Sequence, residues 1–437
     1  MSDGALTAIL FSSMLLLVMS GLPIAFALGG LAVVFTLALW GSHALLLPVM
    51  NIYGSMTNYL LVAVPLFIFM SSMLERTGLA EDFFDAVQNW IGGVRGGLAI
   101  GTVLMSMALA AMVGISAAST AILGLIALPA MLKRHYNKEI ALGSIQAGGA
   151  LGVLIPPSVL MIILGLFGEL SVGKLFIGGI IPGIILGCLF IIYIVLRCRF
   201  QPHLGPAVPP EERVDIRQKL VSLRVILLPI ILILMVMGTI FAGIATVTEA
   251  AGMGAFGSIL IAAVTRRLTW QNFKEACYGT LRVSAMIMWI VFGAILFKAI
   301  YYAIGAPGIV EDILTGVAGG HWIPIIIMVV ILIILGCFLD PGAITMITIP
   351  IFIPIVTSLG FDPLWFGIIF VIIMEMGYLT PPFGMNLFVM KGVAPPEITM
   401  GDIYRSIIPF VLLQLLALII IMIFPQLAVW LPKLMID

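Results

Sequence analysis

Charged residues are scarce in this chain of 437 residues: Asp, Glu, Lys and Arg together make up 9% of it, and hydrophobic residues make up 62%. A soluble domain carries about 25% charged residues, so this composition excludes an ordinary soluble protein. The formal net charge is zero, which leaves no basic excess for binding nucleic acid. The shortage of charge therefore indicates a protein of the lipid bilayer.

Residues suited to catalysis or metal binding are also few. The four cysteines are scattered and form no CxxC pair, which favours small apolar residues in helices over a metal or redox site. The chain has no Walker A motif, so nothing indicates ATP as the energy source. We therefore expect neither an enzyme nor an organic cofactor. The four histidines all lie at predicted loops or membrane interfaces: His43, His135, His203 and His321.

Apolar segments, in contrast, recur from one end of the chain to the other. A transmembrane helix needs about 20 apolar residues, so these segments predict an all-α polytopic membrane protein. The start of the chain lacks the charged stretch and cleavage site of a signal peptide, and we interpret it as the first span. Ten segments are predicted as full spans: 4–19, 23–40, 57–74, 139–168, 174–196, 224–240, 246–264, 284–304, 363–393 and 403–432.

Two further apolar segments, 97–132 and 321–358, are too long to be single spans. Each would exceed roughly 50 Å as one helix, whereas the hydrocarbon core of a bilayer is about 30 Å thick. Both are interrupted near the middle, by VGISAAST (113–120) and by GCFLDPGAIT (336–345). We predict that each segment folds back as a re-entrant hairpin, with its tip inside the membrane.

One polar, proline-rich stretch, RCRFQPHLGPAVPPEERVDIRQKL, separates two halves of similar length. We predict a cytoplasmic linker over 197–223, between one repeat at 1–196 and a second at 224–437. Each half holds five spans and one hairpin. Because five is odd, the second half starts on the opposite side of the membrane and is inverted. Inverted-topology repeats of this kind are common in secondary transporters.

The distribution of basic residues orients the two halves. Cytoplasmic loops carry an excess of Lys and Arg, and an N-terminus outside the cell places 17 of the 20 Lys and Arg residues inside. Lys174 and Lys433 fall outside, and Lys298 lies within a span. We therefore predict a periplasmic N-terminus. The residues placed inside are Arg76, Arg95, Lys133, Arg134, Lys138, Arg197, Arg199, Arg213, Arg217, Lys219, Arg224, Arg266, Arg267, Lys274, Arg282, Lys391 and Arg405.

Each half also contains a helix broken by two consecutive prolines, GVLIPPS within 139–168 and GYLTPPFG within 363–393. Proline lacks an N–H group, so it frees carbonyl oxygens one turn earlier. Such oxygens suit Na⁺, and polar side chains of the facing hairpin tip would complete the shell. The first predicted Na⁺ site contains Ser116, Ser119, Gly152, Ile155 and Pro157, and the second contains Asp340, Thr345, Gly377, Thr380 and Pro382.

The breaks also create half-helix N-termini at membrane depth. Free N–H groups and the positive end of the helix dipole favour an anionic ligand there. We therefore predict substrate contacts at both breaks and at the first hairpin tip. These predicted substrate-binding residues are Thr120, Ser158, Gly384 and Asn386.

Four ionisable residues inside apolar segments leave alternatives open. Asp340 could bind a cation, cap the returning hairpin helix with Pro341 as its first residue, or do both. Glu249 is interpreted mainly as a helix cap and Lys298 as a side chain reaching the membrane interface. Glu375 fits a pair within the bundle and a substrate contact equally well.

Several stretches resemble one known family: GLAEDFFDAVQNWIGGVRGGLAIG, LGVLIPPS, TEAAGMGA and MGYLTPPFGMN. They are similar to the large membrane subunit of TRAP transporters, the tripartite ATP-independent periplasmic family, over essentially the whole chain. The resemblance implies an elevator-type, Na⁺-driven carrier of organic acids in the bacterial inner membrane, with cation sites at the hairpin tips and Pro-Pro breaks. It also implies two partners, a small four-helix membrane subunit on a separate chain and a periplasmic substrate-binding protein.

A channel is the alternative function, since two hairpins that enter from opposite sides would also suit a pore. The length of the chain and the two cation-type sites favour a carrier. Saturable uptake that requires a Na⁺ gradient would distinguish the two. The identity of the acid is not encoded in these motifs, because we expect selectivity to reside largely in the binding protein.

Overall fold

The computed structural model describes residues 2–209, 211, 215–316 and 320–435, and these residues form helices and no strand. Among these described residues, seven helices are long and apolar enough to cross a membrane, and further apolar helices are shorter. Large apolar side chains such as Leu16, Tyr53 and Trp289 are exposed on the outside, which suits contact with lipid. The prediction of an all-α polytopic membrane protein is confirmed.

The helices of the first half begin directly after the N-terminus and end before the polar stretch. They are α1 (Asp3–Met19), α2 (Ile24–Trp40), α3 (Leu46–Met56), α4 (Ala63–Arg76), α5 (Leu79–Ile91), α6 (Gly97–Val113), α7 (Ser116–Lys133), α8 (Lys138–Ala150), α9 (Val159–Gly168) and α10 (Val172–Phe200). The second half contains α11 (Ile216–Phe241), α12 (Val247–Val264), α13 (Trp270–Ala303), α14 (Ala306–Thr315), α15 (Trp322–Gly336), α16 (Pro341–Ser358), α17 (Pro363–Leu379), α18 (Met385–Val393), α19 (Met400–Ile423) and α20 (Gln426–Val429).

Both over-long segments are split where the sequence predicts it. The segment 97–132 becomes α6 and α7, which pack on each other, and 321–358 becomes α15 and α16, which do the same. The first turn uses Gly114 at φ +62°, a conformation that glycine adopts without a steric cost. The second turn ends at Asp340, which caps α16 ahead of Pro341.

Some helices differ in length from the apolar segments. The span predicted at 284–304 is the end of α13, a helix of 34 residues whose first turns are polar. The predicted linker 197–223 is helical at both ends, because α10 runs to Phe200 and α11 starts at Ile216. Hydropathy marks where a helix enters lipid and carries no signal for a helix that continues into water. Of the predicted linker, Arg213 lies outside the described residues.

The middle of the predicted linker is docked on the base of the first hairpin. Nearby, the Tyr136 hydroxyl accepts the N–H of Leu98 at 3.2 Å, and burial raises the pKa of Tyr136 to about 12. The Cys198 thiol is buried in the same place. Three backbone hydrogen bonds hold the segment: Gly96 N–H to the Gly205 carbonyl (2.8 Å), Val208 N–H to Gly92 (2.8 Å) and Asn137 N–H to Leu204 (2.9 Å).

We divide the helices into two groups, which also pack on each other, as α5 does on α6 and α13 does on α16. We call α1–α5 with α11–α14 the frame, in which α2 and α4 pack on α13, α4 on α12, and α5 on α11. We call α6–α10 with α15–α20 the hairpin bundle, in which α8 packs on α6, α7 and α19, and α17 packs on α15 and α19. Both hairpins and both broken helices belong to the hairpin bundle, so every predicted site residue does as well.

Ion pairs between side chains strengthen one end of the frame. Arg267 pairs with Asp82 at 2.5 Å and donates to the Thr77 carbonyl at 2.6 Å. Arg76 pairs with Glu275. These contacts join α4, α5, α12 and α13, and none of them involves the hairpin bundle.

Candidate functional site

The first hairpin tip lies directly against the first Pro-Pro break. A Cβ on Gly114 would stand 2.7 Å from the carbonyl oxygen of Pro157, and one on Gly152 would stand 3.5 Å from Ser119 Oγ. Ser116 and Ser119 are fully buried. Ser116 in the tip and Pro156 in the break are 40 residues apart in the sequence. In the folded chain the tip and the break form one buried cluster of oxygen atoms.

The prolines explain why the first broken helix leaves carbonyls available. The helix α8 ends at Ala150, and α9 starts only at Val159. Since proline donates no hydrogen bond, the α-helical ladder stops at this point. Within the described chain, no backbone N–H donates to the carbonyls of Gly152 or Ile155. Ser158 caps α9, and its Oγ accepts the N–H of Met161 at 3.5 Å.

The second tip and second break repeat this contact. The backbones of Gly336 and Gly377 touch, since a Cβ on Gly377 would stand 3.1 Å from the Gly336 carbonyl oxygen. The N–H of Phe383 donates to the Cys337 carbonyl at 3.1 Å. Thr380 Oγ1 donates to the Met376 carbonyl at 2.7 Å. Both Pro-Pro peptide bonds, Pro156-Pro157 and Pro381-Pro382, are cis.

Asp340 caps α16 with one of its two carboxylate oxygens. Its Oδ2 accepts the N–H groups of Gly342 at 2.9 Å and Ala343 at 3.3 Å. Its Oδ1 makes no hydrogen bond within the described chain. Thr345, one turn further along, is buried and donates to the Pro341 carbonyl at 2.7 Å. The capping interpretation is confirmed, and Oδ1 remains for a second ligand.

Asn386 joins the two halves of the site. Its Nδ2 donates to Ser116 Oγ at 2.8 Å and to the Gln146 carbonyl at 3.4 Å. Asn386 and Ser116 are fully buried. A residue just after the second break is thus bonded to the first residue of the first hairpin's returning helix. Two residues that the sequence assigns to different ligands lie in one place.

The other predicted substrate residues are more dispersed. Thr120 is buried against α8. Its Oγ1 lies so close to Gly149 that any side chain there would collide with it. This Oγ1 has no hydrogen-bond partner in the described structure. Gly384 precedes α18 and has a φ of +26°. Thr120 therefore packs where α7 meets α8, whereas Gly384 lies at the second break.

Gln146 is a site residue that the sequence analysis missed. Its Nε2 donates to the Leu142 carbonyl and to Ser406 Oγ, both at 3.2 Å, and its own carbonyl accepts from Asn386. Its Oε1 is buried without a hydrogen-bond partner in the described structure. The signal was a lone amide in the otherwise small and apolar run ALGSIQAGGA.

Three ionisable residues with open roles have defined partners. Glu249 forms a capping box with Thr246, whose N–H it accepts at 2.8 Å, so the cap interpretation is confirmed. Lys298 pairs with Glu169 at 3.2 Å. Glu375 is fully buried and accepts a hydrogen bond from Gln414 at 3.3 Å, which supports pairing within the bundle.

The groups that meet at the tips and breaks are hydroxyls, carbonyls, one carboxylate and helix N-termini. Among the described residues, no group of three or more His, Cys, Asp or Glu side chains could hold a metal ion.

Comparison with known families shows what this chain is similar to. Residues 11–427 match the family described as "Tripartite ATP-independent periplasmic transporter, DctM component". The chain belongs to this family. It is therefore the permease component of a TRAP transporter in the membrane and not an enzyme, as the sequence resemblance predicts.

Several curated relatives carry substrate names. The chain is 34% identical to the C4-dicarboxylate TRAP transporter large permease protein DctM of Pseudomonas aeruginosa, over 92% of this chain and 93% of that one. It is 28% identical to the sialic acid large permease SiaM of Vibrio cholerae, over 96% of each chain. It is 29% identical to the 2,3-diketo-L-gulonate large permease YiaN of Escherichia coli, over 94% and 95%.

Two solved structures share the fold of this permease at low sequence identity. The YdaH transporter of Alcanivorax borkumensis superposes with a TM-score of 0.61 at 16% identity, over 96% of this chain and 98% of that one. MtrF of Neisseria gonorrhoeae also gives 0.61, at 13% identity, over 90% and 85%. These likenesses support the fold of a membrane transporter.

Proposed function

We propose that this permease is a carrier that couples the entry of Na⁺ to the uptake of an organic anion. The contact between Asn386 and Ser116 carries the proposal most directly, because it joins the two tip-and-break clusters into one buried site. A site built from both halves of the hairpin bundle can bind cation and anion together. Na⁺ supplies positive charge beside the anion, so each ion stabilises the binding of the other.

Na⁺ is proposed to bind at each tip-and-break contact. The first site offers Ser116, Ser119 and Pro157 with the free carbonyls of Gly152 and Ile155. The second offers Asp340 Oδ1, in the tip whose Cys337 carbonyl accepts the N–H of Phe383 at the break, together with Thr380. Carbonyl oxygens of unwound helix are the usual ligands of a coupling ion in secondary transporters. Thr345, Gly377 and Pro382 complete the proposed set in the second half.

The anion is proposed to lie between the breaks. The N-termini of α9 and α18 start there, at Ser158 and Gly384. Their free N–H groups and dipoles favour a carboxylate. Asn386 would contribute an amide, and Thr120 a hydroxyl with no other partner. None of the proposed ligands is a Lys or Arg, so bound Na⁺ would supply the compensating full charge.

The names of the relatives support the proposed substrate class and partners. Those named above carry C4-dicarboxylate, sialic acid and 2,3-diketo-L-gulonate in their names, and all three are carboxylates. We propose a carboxylate substrate for this permease, delivered by a periplasmic binding protein, with a small four-helix subunit beside it in the inner membrane. We also propose that the two halves are inverted repeats, with the N-terminus in the periplasm.

Movement is proposed to follow the division into two groups. The proposed binding residues all lie in the hairpin bundle, so the bundle can carry its ligands as one body past the frame. This is an elevator-type mechanism. A channel would instead need a continuous path with the hairpins at rest.

The test is uptake into proteoliposomes that contain the permease, the small subunit and the cognate binding protein. We expect uptake of a carboxylate that saturates with substrate and collapses when the inward Na⁺ gradient is removed at constant membrane potential. A K⁺ gradient of the same size is the control. Uptake that persists without Na⁺, or that does not saturate, would contradict the proposed mechanism.

A further inference from the structure

An ion pair crosses from the hairpin bundle to the frame. Glu169 follows the last turn of α9, in the bundle, and its Oε1 lies 3.2 Å from Nζ of Lys298 on α13, in the frame. The Lys298 ammonium also stands 5.8 Å from the centre of the Tyr302 ring. Lys298, on an otherwise apolar stretch of helix, thus contacts one acidic and one aromatic side chain.

A hydrogen bond crosses at the same place, one turn further along α13. The hydroxyl of Tyr302 donates to the carbonyl of Pro350 on α16 at 3.2 Å. In a helix this carbonyl would accept the N–H of residue 354, but that residue is Pro354 and has none. The frame therefore satisfies a carbonyl that the hairpin helix cannot satisfy by itself.

A third crossing bond links the frame to the first hairpin. Ser71 Oγ on α4 lies 2.8 Å from the carbonyl oxygen of Met112 and 2.8 Å from that of Phe67 in its own helix, so its single proton is shared between the two. Since α6 ends one residue after Met112, this carbonyl has no partner in its own helix. Both residues are buried. Thus α4 in the first half and α13 in the second half each donate a side-chain hydrogen bond to a free carbonyl of the hairpin of that half.

We propose that Ser71, Glu169, Lys298 and Tyr302 form a latch that holds the hairpin bundle against the frame in this arrangement and opens in every transport cycle. The inference rests on the proposed elevator mechanism. Hydrogen bonds require donor and acceptor within about 3.2 Å, so none of the three contacts survives sliding of the bundle along the frame. An open cavity of about 470 Å³ lies beside two of these contacts, and its lining includes Glu169, Lys298, Tyr302 and Pro350.

The bonding partners distinguish this latch from ordinary packing. Two of the acceptors, Met112 and Pro350, are main-chain carbonyls with no partner in their own helices, so each loses its hydrogen bond from the frame when the latch opens. An unpaired buried carbonyl is unfavourable. The bundle therefore has a defined resting position to which the carbonyls return.

Cross-linking tests whether the latch must open. In a variant without the four native cysteines, Glu169→Cys and Lys298→Cys are joined by a reducible bifunctional thiol reagent. We expect Na⁺-dependent uptake in proteoliposomes to fall at least tenfold on cross-linking and to return on reduction. The matched control is Arg76→Cys with Glu275→Cys, an ion pair within the frame, whose cross-link should leave uptake unchanged. Full uptake by the cross-linked 169–298 pair would overturn the proposal.

A second measurement tests the hydrogen bonds without a cross-link. Spin labels on frame and bundle report how many molecules have the latched separation and how many have a second separation. Tyr302→Phe and Ser71→Ala should each change the ratio of these two populations by about three- to tenfold, at the expense of the latched one. Tyr301→Phe, on the neighbouring residue within the frame, is the control. An unchanged ratio in both variants would overturn the latch. Loss of Na⁺ dependence in the unmodified protein would count against the proposed function instead.

Discussion

Single polar residues carry the site, and most of them also do a structural task. Asn386 links the second break to the first hairpin through Ser116, and Asp340 caps α16 while keeping Oδ1 free. A buried polar group must have partners or it destabilises the fold. A side chain that caps a helix and is also proposed to bind a ligand therefore adds no further buried polar group that would need a partner.

Asp340 allows these two tasks to be separated. Asn caps helices about as well as Asp, so Asp340→Asn should keep α16 and remove only the charge. We expect inserted, folded protein whose uptake needs a severalfold higher Na⁺ concentration or is lost. Uptake at graded Na⁺, with thermal stability in detergent, measures both effects.

Asp362→Asn is the matched control for that variant. Asp362 also precedes a proline, and its Oδ1 accepts the N–H groups of Leu364 and Trp365. It lies far from the hairpin tips, at the start of α17. Equal Na⁺ dependence in the Asp340 and Asp362 variants would reduce Asp340 to a cap.

Helices in this permease are interrupted where ligands are proposed to bind. The interruptions at 151–158 and 380–384 each meet a hairpin tip, and the prolines keep the helical ladder from closing. The cost of irregular backbone in a membrane is high unless it lines a protein interior. The breaks persist because each is covered by the hairpin of its own half.

Repairing a break should remove the cation site proposed beside it. Proline in a helix interior costs about 3 kcal/mol relative to alanine, so Ala-Ala in place of Pro156-Pro157 should let helix extend and take up the Gly152 carbonyl. We expect normal insertion, with Na⁺ binding and uptake reduced at least tenfold, and the same result for Pro381-Pro382. Isothermal titration of Na⁺ and proteoliposome uptake give the two readouts.

A third pair of consecutive prolines provides the control for these variants. Pro395-Pro396 lies in the turn between α18 and α19, where Pro396 is exposed. Its replacement by Ala-Ala should leave Na⁺ binding unchanged. If all three double variants transport normally, the two interior breaks are simple kinks and the proposed sites are misplaced.

At the scale of the whole molecule, the frame and the hairpin bundle alternate along the chain. Helices α1–α5 enter the frame, α6–α10 the bundle, α11–α14 the frame, and α15–α20 the bundle again. Each half therefore contributes to both groups. This interleaving lets one half's hairpin lie next to the other half's break, as the bond from Asn386 to Ser116 requires.

The orientation of the whole chain is tested by labelling from one side. The positive-inside rule places the docked segment after α10 in the cytoplasm and the C-terminal end outside. A cysteine in place of exposed His203 should resist a membrane-impermeant thiol reagent in intact cells. A cysteine in place of exposed Lys433 should react with it. The reverse pattern would invert the topology.

The amino-acid sequence was sufficient for the hairpins and breaks, because their signals are local. The tip segment around Gly114, the prolines at 156–157 and 381–382, and the cap at Asp340 act within a few residues of backbone. The excess length of the 97–132 segment over a bilayer required a turn whatever its neighbours were. Family membership followed from the same motifs.

Only the tertiary structure decided which of these features meet. Gln146 bonds Ser406 and Asn386 across 260 and 240 residues, Lys298 reaches Glu169 across 129, and Tyr302 reaches Pro350 across 48. A hydropathy profile averages over one helix at a time, so it carries no information about partners that are distant in the sequence. Side-chain pairing depends on which helix faces which, and that is set by the packing of frame and bundle as a whole.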